Sequence, residues 1–228
     1  MVPEDIRGLI AWIQGLPLLG RGAESEIRRG VWMGIEAVFK LRIPHAYMHP
    51  RLDQSLREAR TRREARLLSK ASSIGANVPR LLSVFPSIGL IVMEYIDGVV
   101  LRDAITQGVY EEGHIEEAGY ILGLLHRSGI AHGDPTTSNY IVKGGSVYLI
   151  DFGLSDQATG VEDLAVDIHL FTRAVESTHA RLANELVEAF KRGYLKAAGA
   201  MGMKVVERAG KIRLRGRYVE ERRTVWSI

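Results

Sequence analysis

Hydrophobic and polar residues in the first part of the chain follow the pattern of β-strands around one helix. Ile35 to Arg42 alternates well enough to predict a strand, and Leu90 to Ile96 is a continuous apolar run of the kind found in buried strands. Asp97-Gly98 then indicates a turn. Leu52 to Ser73 predicts a long, highly charged helix. We therefore expect a strand-rich first part that contains a single helix.

Apolar residues in the second part recur every three or four positions, which is the pattern of helices with one buried face. The three stripes are Ile115, Ala118, Leu122 and Leu125; Leu164, Ile168, Phe171 and Val175; and Leu182, Leu186, Phe190 and Tyr194. Gly129 is a suitable end for the first of these helices. The segment from Ile130 to Ser155 lies between the first two and predicts loops around a strand.

The two patterns divide the chain into two parts and predict an α+β fold. We expect residues 1–96 to form a β-sheet domain with one long helix, and residues 97–228 to form a mostly helical domain. The length of 228 residues exceeds a typical single domain without reaching two domains of average size. Hydrophobic residues make up 46% of the sequence, which is enough to bury a core.

Composition narrows the possible chemistry and location. The sequence has no cysteine, which excludes disulfides, thiolate metal sites and cysteine nucleophiles. No apolar run reaches the roughly 18 residues of a membrane span, so we expect neither a transmembrane segment nor a membrane partner. The first residues include Glu4 and Asp5 and do not resemble a signal peptide, so a cytoplasmic location is expected.

Positive charge is concentrated near the end of the sequence. From Lys204 to Ile228 there are eight Lys or Arg and three Glu, in a chain whose total net charge is +3. Such a tail can contact nucleic acid, here a possible tRNA, or an acidic partner. The alternative is a solvated, mildly disordered terminus, and the sequence does not decide between the two.

The segment from His132 to Gly153 carries the candidate catalytic chemistry. It reads His132-Gly-Asp134-Pro-Thr-Thr-Ser-Asn139, then a short hairpin, then Asp151-Phe-Gly153. Protein kinases combine a catalytic loop H-R-D-x-x-x-x-N with a following D-F-G. One carboxylate accepts the proton of the attacking hydroxyl, while an amide oxygen and a second carboxylate bind Mg²⁺. We therefore predict Asp134 as the catalytic base, with Asn139 and Asp151 as metal ligands.

Residues upstream predict the phosphate-binding part of a site for ATP. Lys40 ends the strand Ala37 to Lys40, as the lysine of V-A-I-K does in kinases, and Arg42 is its nearest competitor. Glu64 is the predicted partner of this lysine on the long helix, ahead of Glu58. The alternative for Glu64 is ordinary pairing with arginines on its own helix.

Two backbone segments are predicted to contact the nucleotide. The turn that contains Gly20, Gly22, Ala23 and Glu24 is expected to cover the phosphates, although Ser25 replaces the last glycine of G-x-G-x-x-G. Met93-Glu94-Tyr95-Ile96 falls where a kinase hinge would be, so we expect the backbone of Glu94 and Ile96 to bind adenine.

Several parts of a regulated protein kinase are missing. Gly133 replaces the arginine that would bind a phosphorylated activation loop, and no Ala-Pro-Glu follows Gly153. Thr136 stands where many protein kinases have a lysine that contacts the γ-phosphate. We expect slow intrinsic turnover and a partner that completes or exploits the site. Asp167 is predicted to brace the catalytic loop, with Asp163 as its rival, and the histidines of this region are expected to be structural.

The motifs together resemble the small atypical kinase subunit of the KEOPS (EKC) complex in its archaeal form, a RIO-like minimal kinase. The resemblance covers nearly the whole chain and rests on Gly22-Ala-Glu24, Lys40-Leu-Arg-Ile-Pro44, Arg60-Thr-Arg-Arg-Glu64-Ala-Arg-Leu-Leu68, Gly129-Ile-Ala-His132-Gly-Asp134, Thr136-Thr-Ser-Asn139, Asp151-Phe-Gly-Leu154 and Arg215-Gly-Arg217. The sequence departs from the family at Pro135, at His45-Ala-Tyr-Met48 and in the stretch before Leu18.

The resemblance implies a bilobal, protein-kinase-like fold with a reduced C-lobe. It also implies ATPase and Ser/Thr kinase activity with ATP and Mg²⁺, in support of threonylcarbamoyladenosine synthesis on tRNAs that read ANN codons. The implied partners are a threonylcarbamoyl transferase subunit at the C-lobe and a small regulatory subunit at the N-lobe. By position, the functional residues carried over are Lys40, Glu64, Asp134, Asn139 and Asp151.

Two other functions remain open from the sequence. Small-molecule phosphotransferases of the aminoglycoside- and choline-kinase type also use a His-Gly-Asp-x-x-x-x-Asn loop, but the chain after Asp151 is short for a small-molecule pocket. A nonenzymatic pseudokinase scaffold would bind tRNA or proteins through the basic tail. The presence of every metal and base residue argues against the scaffold.

Overall fold

The computed structural model describes the backbone from Asp5 to Val225 and the side chains as far as Leu214. The chain forms two compact units. Unit 1 comprises the residues up to 72 together with residues 79–96, and unit 2 comprises residues 73–78 and those from 97 onward. No helix in the described part of the chain is long and apolar enough to cross a membrane.

Unit 1 is a five-stranded antiparallel sheet with two helices, so the predicted single helix was wrong: a short helix also precedes the first strand. Its elements are α1 (Ile6–Gln14), β1 (Leu18–Arg21), β2 (Ser25–Trp32), β3 (Ile35–Arg42), α2 (Pro50–Ser73), β4 (Leu81–Phe85) and β5 (Leu90–Glu94), in the sheet order β1-β2-β3-β5-β4. The long helix begins two residues before the predicted Leu52, and the predicted strand from Leu90 ends at Glu94 rather than Ile96. Met33 and Gly34 join β2 to β3 with φ angles of 49° and 84°, as a two-residue hairpin turn requires.

Helix α1 covers one face of this sheet, which gives the stretch before Leu18 a structural role. Leu9 and Ile13 on α1 are buried in a cluster with Trp32, Ala37 and Phe39 of the sheet. The ring of Trp12 packs edge-on against Phe39 with 5.3 Å between the ring centroids. The helix begins after Asp5, whose Oδ1 accepts a hydrogen bond from the Gly8 amide at 2.8 Å.

Unit 2 is mostly helical and holds two small sheets. Its elements are β6 (Val99–Val100), α3 (Leu101–Gln107), α4 (Glu112–Arg127), β7 (Ile130–Ala131), β8 (Tyr140–Lys143), β9 (Ser146–Leu149), β10 (Asp156–Gln157), α5 (Val161–Thr178), α6 (Ala183–Ala198) and α7 (Gly202–Val225). Strands β6, β8 and β9 form one antiparallel sheet, and β7 pairs with β10. The three predicted helical stripes lie on α4, α5 and α6, except that Leu182 is the residue immediately before α6.

Helices α4 and α6 pack so closely that their backbones touch at glycines. A Cβ atom at Gly193 would lie 1.7 Å from the carbonyl oxygen of Glu116, and one at Gly119 would lie 2.0 Å from that of Phe190. Neither position can hold a side chain without moving the two helices apart. The aromatic rings of Phe171 and Phe190 stack nearby with centroids 3.6 Å apart, which joins α5 to the same core.

The basic end of the sequence lies on helix α7 as far as Val225. Within the described side chains, much of its positive charge is paired. Arg208 pairs with Glu162 and Arg213 pairs with Glu176, both on α5, and Lys211 pairs with Glu207 at 2.7 Å. Arg215-Gly-Arg217 and the remaining basic residues of the tail lie outside the side chains that the structure describes.

Candidate functional site

The catalytic loop of unit 2 is closed by the side chain of Asn139. Its Nδ2 atom donates to Oδ2 of Asp134 at 2.8 Å and to the main-chain oxygen of Asp134 at 2.7 Å. The Thr136 amide also donates to the Asp134 carbonyl at 2.9 Å, which tightens the turn. Since Nδ2 faces Asp134, the other amide atom, Oδ1, is the one left to bind a cation.

Asp151 is brought next to this loop by the hairpin of β8 and β9. The Ile150 amide donates to the Asn139 carbonyl at 2.8 Å, which ties the residue before Asp151 to the end of the catalytic loop. Asp151 has a φ of 60°, a left-handed conformation that is uncommon outside glycine, and its Oδ1 accepts from the Gly153 amide at 3.0 Å. The turn therefore holds an exposed carboxylate at a fixed angle.

The side chain of His132 connects the loop of Asp134 to the residue before Asp151. Its Nδ1 atom accepts a hydrogen bond from the Asp134 amide at 3.4 Å, and its Nε2 atom lies 3.1 Å from the Ile150 carbonyl oxygen. A carbonyl only accepts, so Nε2 carries the proton and the ring is neutral. Burial lowers the pKa of His132 even though the charges of Asp167, Asp151 and Asp134 act to raise it. The ring therefore acts as a brace, as the sequence predicts.

Asp167 on α5 holds the backbone of the same loop. Its Oδ2 accepts from the His132 amide at 2.6 Å, and its Oδ1 accepts from the Gly133 amide at 2.8 Å. The rival, Asp163, is half-buried and instead accepts from the amide of Thr159 at 2.8 Å. Asp167 is thus the brace of the catalytic loop, and Asp163 caps the start of its own helix.

The oxygen atoms of this region suit Mg²⁺, which binds oxygen ligands and usually takes one or two carboxylates. Asp134 and Asp151 offer carboxylates, and Asn139 offers the Oδ1 atom that its contact with Asp134 leaves over. Among the described residues, no group of three or more His, Cys, Asp or Glu side chains could hold a metal ion.

In unit 1, Lys40 and Glu64 form a buried ion pair. Nζ of Lys40 lies 2.6 Å from Oε1 of Glu64, and both side chains are almost fully shielded from solvent. Arg42 reaches the same carboxylate, with its Nη2 atom 2.5 Å from Oε2. Glu58, the weaker sequence candidate, lies 3.9 Å from the exposed Arg62. The strand and the long helix thus bring together Lys40 and Glu64, with Arg42 as a third member.

The glycine turn of unit 1 connects to the same helix. Gly20 lies in β1, Gly22 donates its amide to the Ser25 carbonyl at 2.9 Å, and Ala23 and Glu24 complete the turn. The carboxylate of Glu24 pairs with Arg60 on α2 at 2.5 Å, and this hydrogen bond lowers the pKa of Glu24. The turn is therefore fastened to α2 by a side chain that the sequence assigned to the nucleotide.

The predicted hinge residues lie at the end of β5. Glu94 is the last residue of that strand and donates its amide to the Arg80 carbonyl at 2.9 Å. The next amide, that of Tyr95, donates to the Glu36 carbonyl at 3.0 Å, and Ile96 buries its side chain. Ile96 is also the last residue of unit 1 in sequence.

Two contacts in these arrangements were not predicted from the sequence: that of Tyr194 with His126, and that of Arg42 with Glu64. Tyr194 on α6 places its hydroxyl 3.0 Å from Nδ1 of His126, whose Nε2 reaches Asp167. Because 68 residues separate His126 from Tyr194, no local pattern links them. The contact of Arg42 with Glu64 could have been predicted from spacing, because Arg42 follows Lys40 by two residues and residues two apart on a strand point to the same face.

A model of the RIO domain family matches residues 42–187, which include Glu64, Asp134, Asn139 and Asp151 but not Lys40. The KEOPS complex subunit Bud32 of Pyrococcus abyssi is 39% identical over 214 residues, which cover 90% of this chain and 97% of that protein. The chain belongs to the Bud32 family of RIO-domain proteins.

Other Bud32-family matches are to parts of longer proteins. The probable bifunctional tRNA threonylcarbamoyladenosine biosynthesis protein of Methanothermobacter thermautotrophicus is 40% identical over 204 residues, or 89% of this chain. A protein of the same description from Methanocaldococcus jannaschii is 36% identical over 203 residues. The chain spans 37% of the length of each of these two relatives. Membership confirms the recognised resemblance and the kinase-like α+β fold, and it assigns the chain to enzymes of the kinase or ATPase type.

Proposed function

We propose that this chain is a Mg²⁺- and ATP-dependent phosphotransferase, with ATPase and Ser/Thr protein kinase activity, that supports threonylcarbamoyladenosine synthesis on tRNA as a KEOPS subunit. The observation that carries the proposal is the contact of Asn139 Nδ2 with Asp134 Oδ2 at 2.8 Å. This contact leaves the Oδ1 atom of Asn139 for a metal and holds the Asp134 carboxylate next to it. Phosphoryl transfer needs both a metal ligand and a nearby base.

Each proposed site residue has a distinct task in this chemistry. Asp134 accepts the proton of the attacking hydroxyl or water, while Asn139 and Asp151 hold Mg²⁺, which neutralises charge on the phosphates when bound. In unit 1, Lys40 contacts the phosphates and Glu64 orients it. The turn of Gly20, Gly22, Ala23 and Glu24 covers the phosphates, and the backbone of Glu94 and Ile96 binds adenine. Unit 1 is then the N-lobe and unit 2 the C-lobe, with the boundary after Ile96.

The first experiment measures ADP formation from Mg·ATP by the full chain and its variants. Asp134→Asn is expected to lower kcat by about 10²–10⁴, the usual contribution of a positioned acid or base. Asp151→Asn removes a proposed Mg²⁺ ligand, so it is expected to raise the Mg²⁺ concentration needed for ADP formation and to lower the rate. Asp156→Asn is the matched control, because it removes an exposed carboxylate only five residues after Asp151. Equal activity in Asp134→Asn and the control would rule out the proposed base.

The second experiment addresses the partners. The relatives' names point to a KEOPS assembly, so the proposed partners are a threonylcarbamoyl transferase subunit and a small regulatory subunit, with possible contact to tRNA through the tail. We expect the isolated chain to turn over more slowly than the ~1–100 s⁻¹ of typical kinases. Addition of the transferase subunit and tRNA is expected to change that rate. Ordinary kinase rates on generic peptides would contradict this expectation.

The same assays separate the two alternative functions. A small-molecule phosphotransferase would release ADP rapidly with one of a panel of hydroxyl substrates, such as choline or an aminoglycoside, without any partner. A pseudokinase scaffold would form no Mg²⁺-dependent ADP, and the Asp134 and Asp151 variants would match the unsubstituted chain.

A further inference from the structure

Lys40 and Arg42 approach the same carboxylate from one face of β3. Residues two apart on a strand point to the same side, and both side chains are about 6% exposed. Lys40 Nζ lies 2.6 Å from Oε1 of Glu64, and Arg42 Nη2 lies 2.5 Å from Oε2. Each oxygen of this carboxylate therefore has its own cation.

The pairing of each Glu64 oxygen with its own cation has a consequence for Lys40. A buried carboxylate that loses its partner is strongly unfavourable, because the charge is no longer compensated. If Lys40 alone held Glu64, any turn of its ammonium group toward a phosphate would carry that cost. With Arg42 on Oε2, the carboxylate stays paired whether Lys40 contacts it, a phosphate, or both.

Arg42 is itself fixed by contacts other than Glu64. Its amide donates to the Gly89 carbonyl at 2.9 Å, and its Nη1 atom lies 3.5 Å from Oε2 of Glu24. Glu24 in turn is held by Arg60 at 2.5 Å. A guanidinium that is shared between two carboxylates, on a side chain with little exposure, serves to anchor them.

We infer that Arg42 is a positioning residue, which holds Glu64 so that Lys40 can exchange toward the phosphates of the nucleotide. This inference rests on the proposed function, because it assumes that Lys40 meets a phosphate. It differs from the usual lysine–glutamate pair in that the glutamate is held by a second cation two residues further along the same strand.

The test compares Arg42→Met with Arg42→Lys in steady-state ADP formation from Mg·ATP by the full chain. Loss of a charge-assisted hydrogen bond to Glu64 is expected to raise KM for ATP about tenfold in Arg42→Met. The change in kcat is expected to be smaller, and Arg42→Lys is expected to recover part of the loss. Arg57→Met is the matched control, because it removes an arginine from the buried carboxylate of Asp53 in the same unit. It should lower the thermal midpoint and leave KM unchanged.

A double-mutant cycle decides whether Arg42 acts through Glu64. In a Glu64→Gln background, Arg42→Met is expected to cause no further rise in KM, since its target carboxylate is gone. A rise equal to that in the native background would mean that Arg42 contacts the phosphates directly, and would overturn the inference. So would a fall in thermal stability with KM unchanged. If Arg42→Met does not fold, the cycle is run with Arg42→Lys.

The proposed function and this inference fail in different ways. Absence of Asp134-dependent ADP formation in the unsubstituted chain would reject the function itself. Normal ADP formation that depends on Asp134 and Lys40 but is indifferent to Arg42 would reject the inference alone.

Discussion

The imidazole of His126 donates a hydrogen bond from Nε2 to Oδ2 of Asp167 at 3.0 Å, and both side chains are almost completely buried. The same carboxylate accepts the backbone amides of His132 and Gly133. On the other side of the ring, Nδ1 of His126 meets the hydroxyl of Tyr194, and burial raises the pKa of that phenol. A protonated phenol can donate to Nδ1. Helix α6 therefore supports the catalytic loop indirectly, through the side chains of His126 and Asp167.

Asp167→Ala is expected to lower the free energy of unfolding by about 3–5 kcal/mol. The substitution leaves two buried N–H groups, His126 Nε2 and the His132 amide, and the part-buried Gly133 amide without an acceptor, and each buried loss costs about 1–3 kcal/mol. Chemical denaturation of both forms measures the difference. Asp163→Ala on the same helix is the control and should cost about 1 kcal/mol, because it removes only the hydrogen bonds to Thr159 at the start of the helix. Similar losses for the two variants would contradict the assigned brace.

Gly193→Ala is expected to destabilise the protein by about 3 kcal/mol or more. The new methyl group would overlap the Glu116 carbonyl oxygen, at 1.7 Å, and force α4 and α6 apart. Gly113→Ala offers a contrast on α4, since nothing lies within 4 Å of its added Cβ. That variant should be neutral or more stable by up to about 1 kcal/mol from helix propensity. Thermal unfolding distinguishes the two, and a tolerated Gly193→Ala would show that the helices are not in backbone contact.

Ile13→Ala is expected to cost about 2–5 kcal/mol, because it leaves a cavity where α1 meets the sheet. Ile13 is completely buried, whereas Ile6 on the same helix is 56% exposed. Ile6→Ala should therefore change stability by no more than about 0.5 kcal/mol. Urea denaturation curves followed by tryptophan fluorescence report this region, since Trp12 and Trp32 both lie close to Phe39. Equal effects at the two positions would mean that α1 is not part of the core.

Acid is expected to destabilise the fold from near neutral pH downward. Burial lowers the pKa of His132, His169 and His179 from the ordinary value of 6.5. Below about pH 6.5 the unfolded chain therefore binds protons that the folded chain excludes, and stability falls as pH falls, by up to about 1.4 kcal/mol per pH unit for each such group. Carboxylates whose pKa is lowered by arginine, such as Glu24, act in a separate window at lower pH.

His179→Gln tests this dependence at one position. Its unfolding free energy, measured between pH 7 and pH 5, should fall less steeply than that of the unsubstituted chain. The residue suits the purpose because Nε2 of His179 is buried and has no hydrogen-bond partner in the described part of the chain. An unchanged slope would show that His179 titrates normally in the folded protein.

Local patterns were sufficient for most of the helices and strands. The stripe that includes Leu122 and Leu125 and the apolar run from Leu90 needed only periodicity. The spacing of Asp134 and Asn139 indicated one shared loop, but their mutual contact required the structure. Tyr194 could not be assigned beyond its helix stripe, because its partner is distant in sequence. The choice between Asp163 and Asp167 also required the structure, since only one turn of helix separates the half-buried Asp163, which binds Thr159, from the buried Asp167, which binds the loop amides.

The end of the chain shows what a charge count leaves out. The eight basic residues from Lys204 onward allowed either contact with nucleic acid or an acidic partner, or a solvated terminus. Arg208 and Arg213 instead meet acidic residues of α5, because α7 packs along that helix. Pairing of this kind depends on which helix faces which, and a count of charges carries no such information.

The position of α1 matters to anyone who prepares this protein. Removal of the first sixteen residues would take Trp12 and Ile13 away from Phe39 and expose a hydrophobic patch on the sheet. The edge strands of this sheet are β1 and β4, and exposed edge strands can pair with other chains. We expect the truncated protein to aggregate more readily than the full chain. A purification tag is therefore better separated from Asp5 by a spacer than fused directly onto this helix.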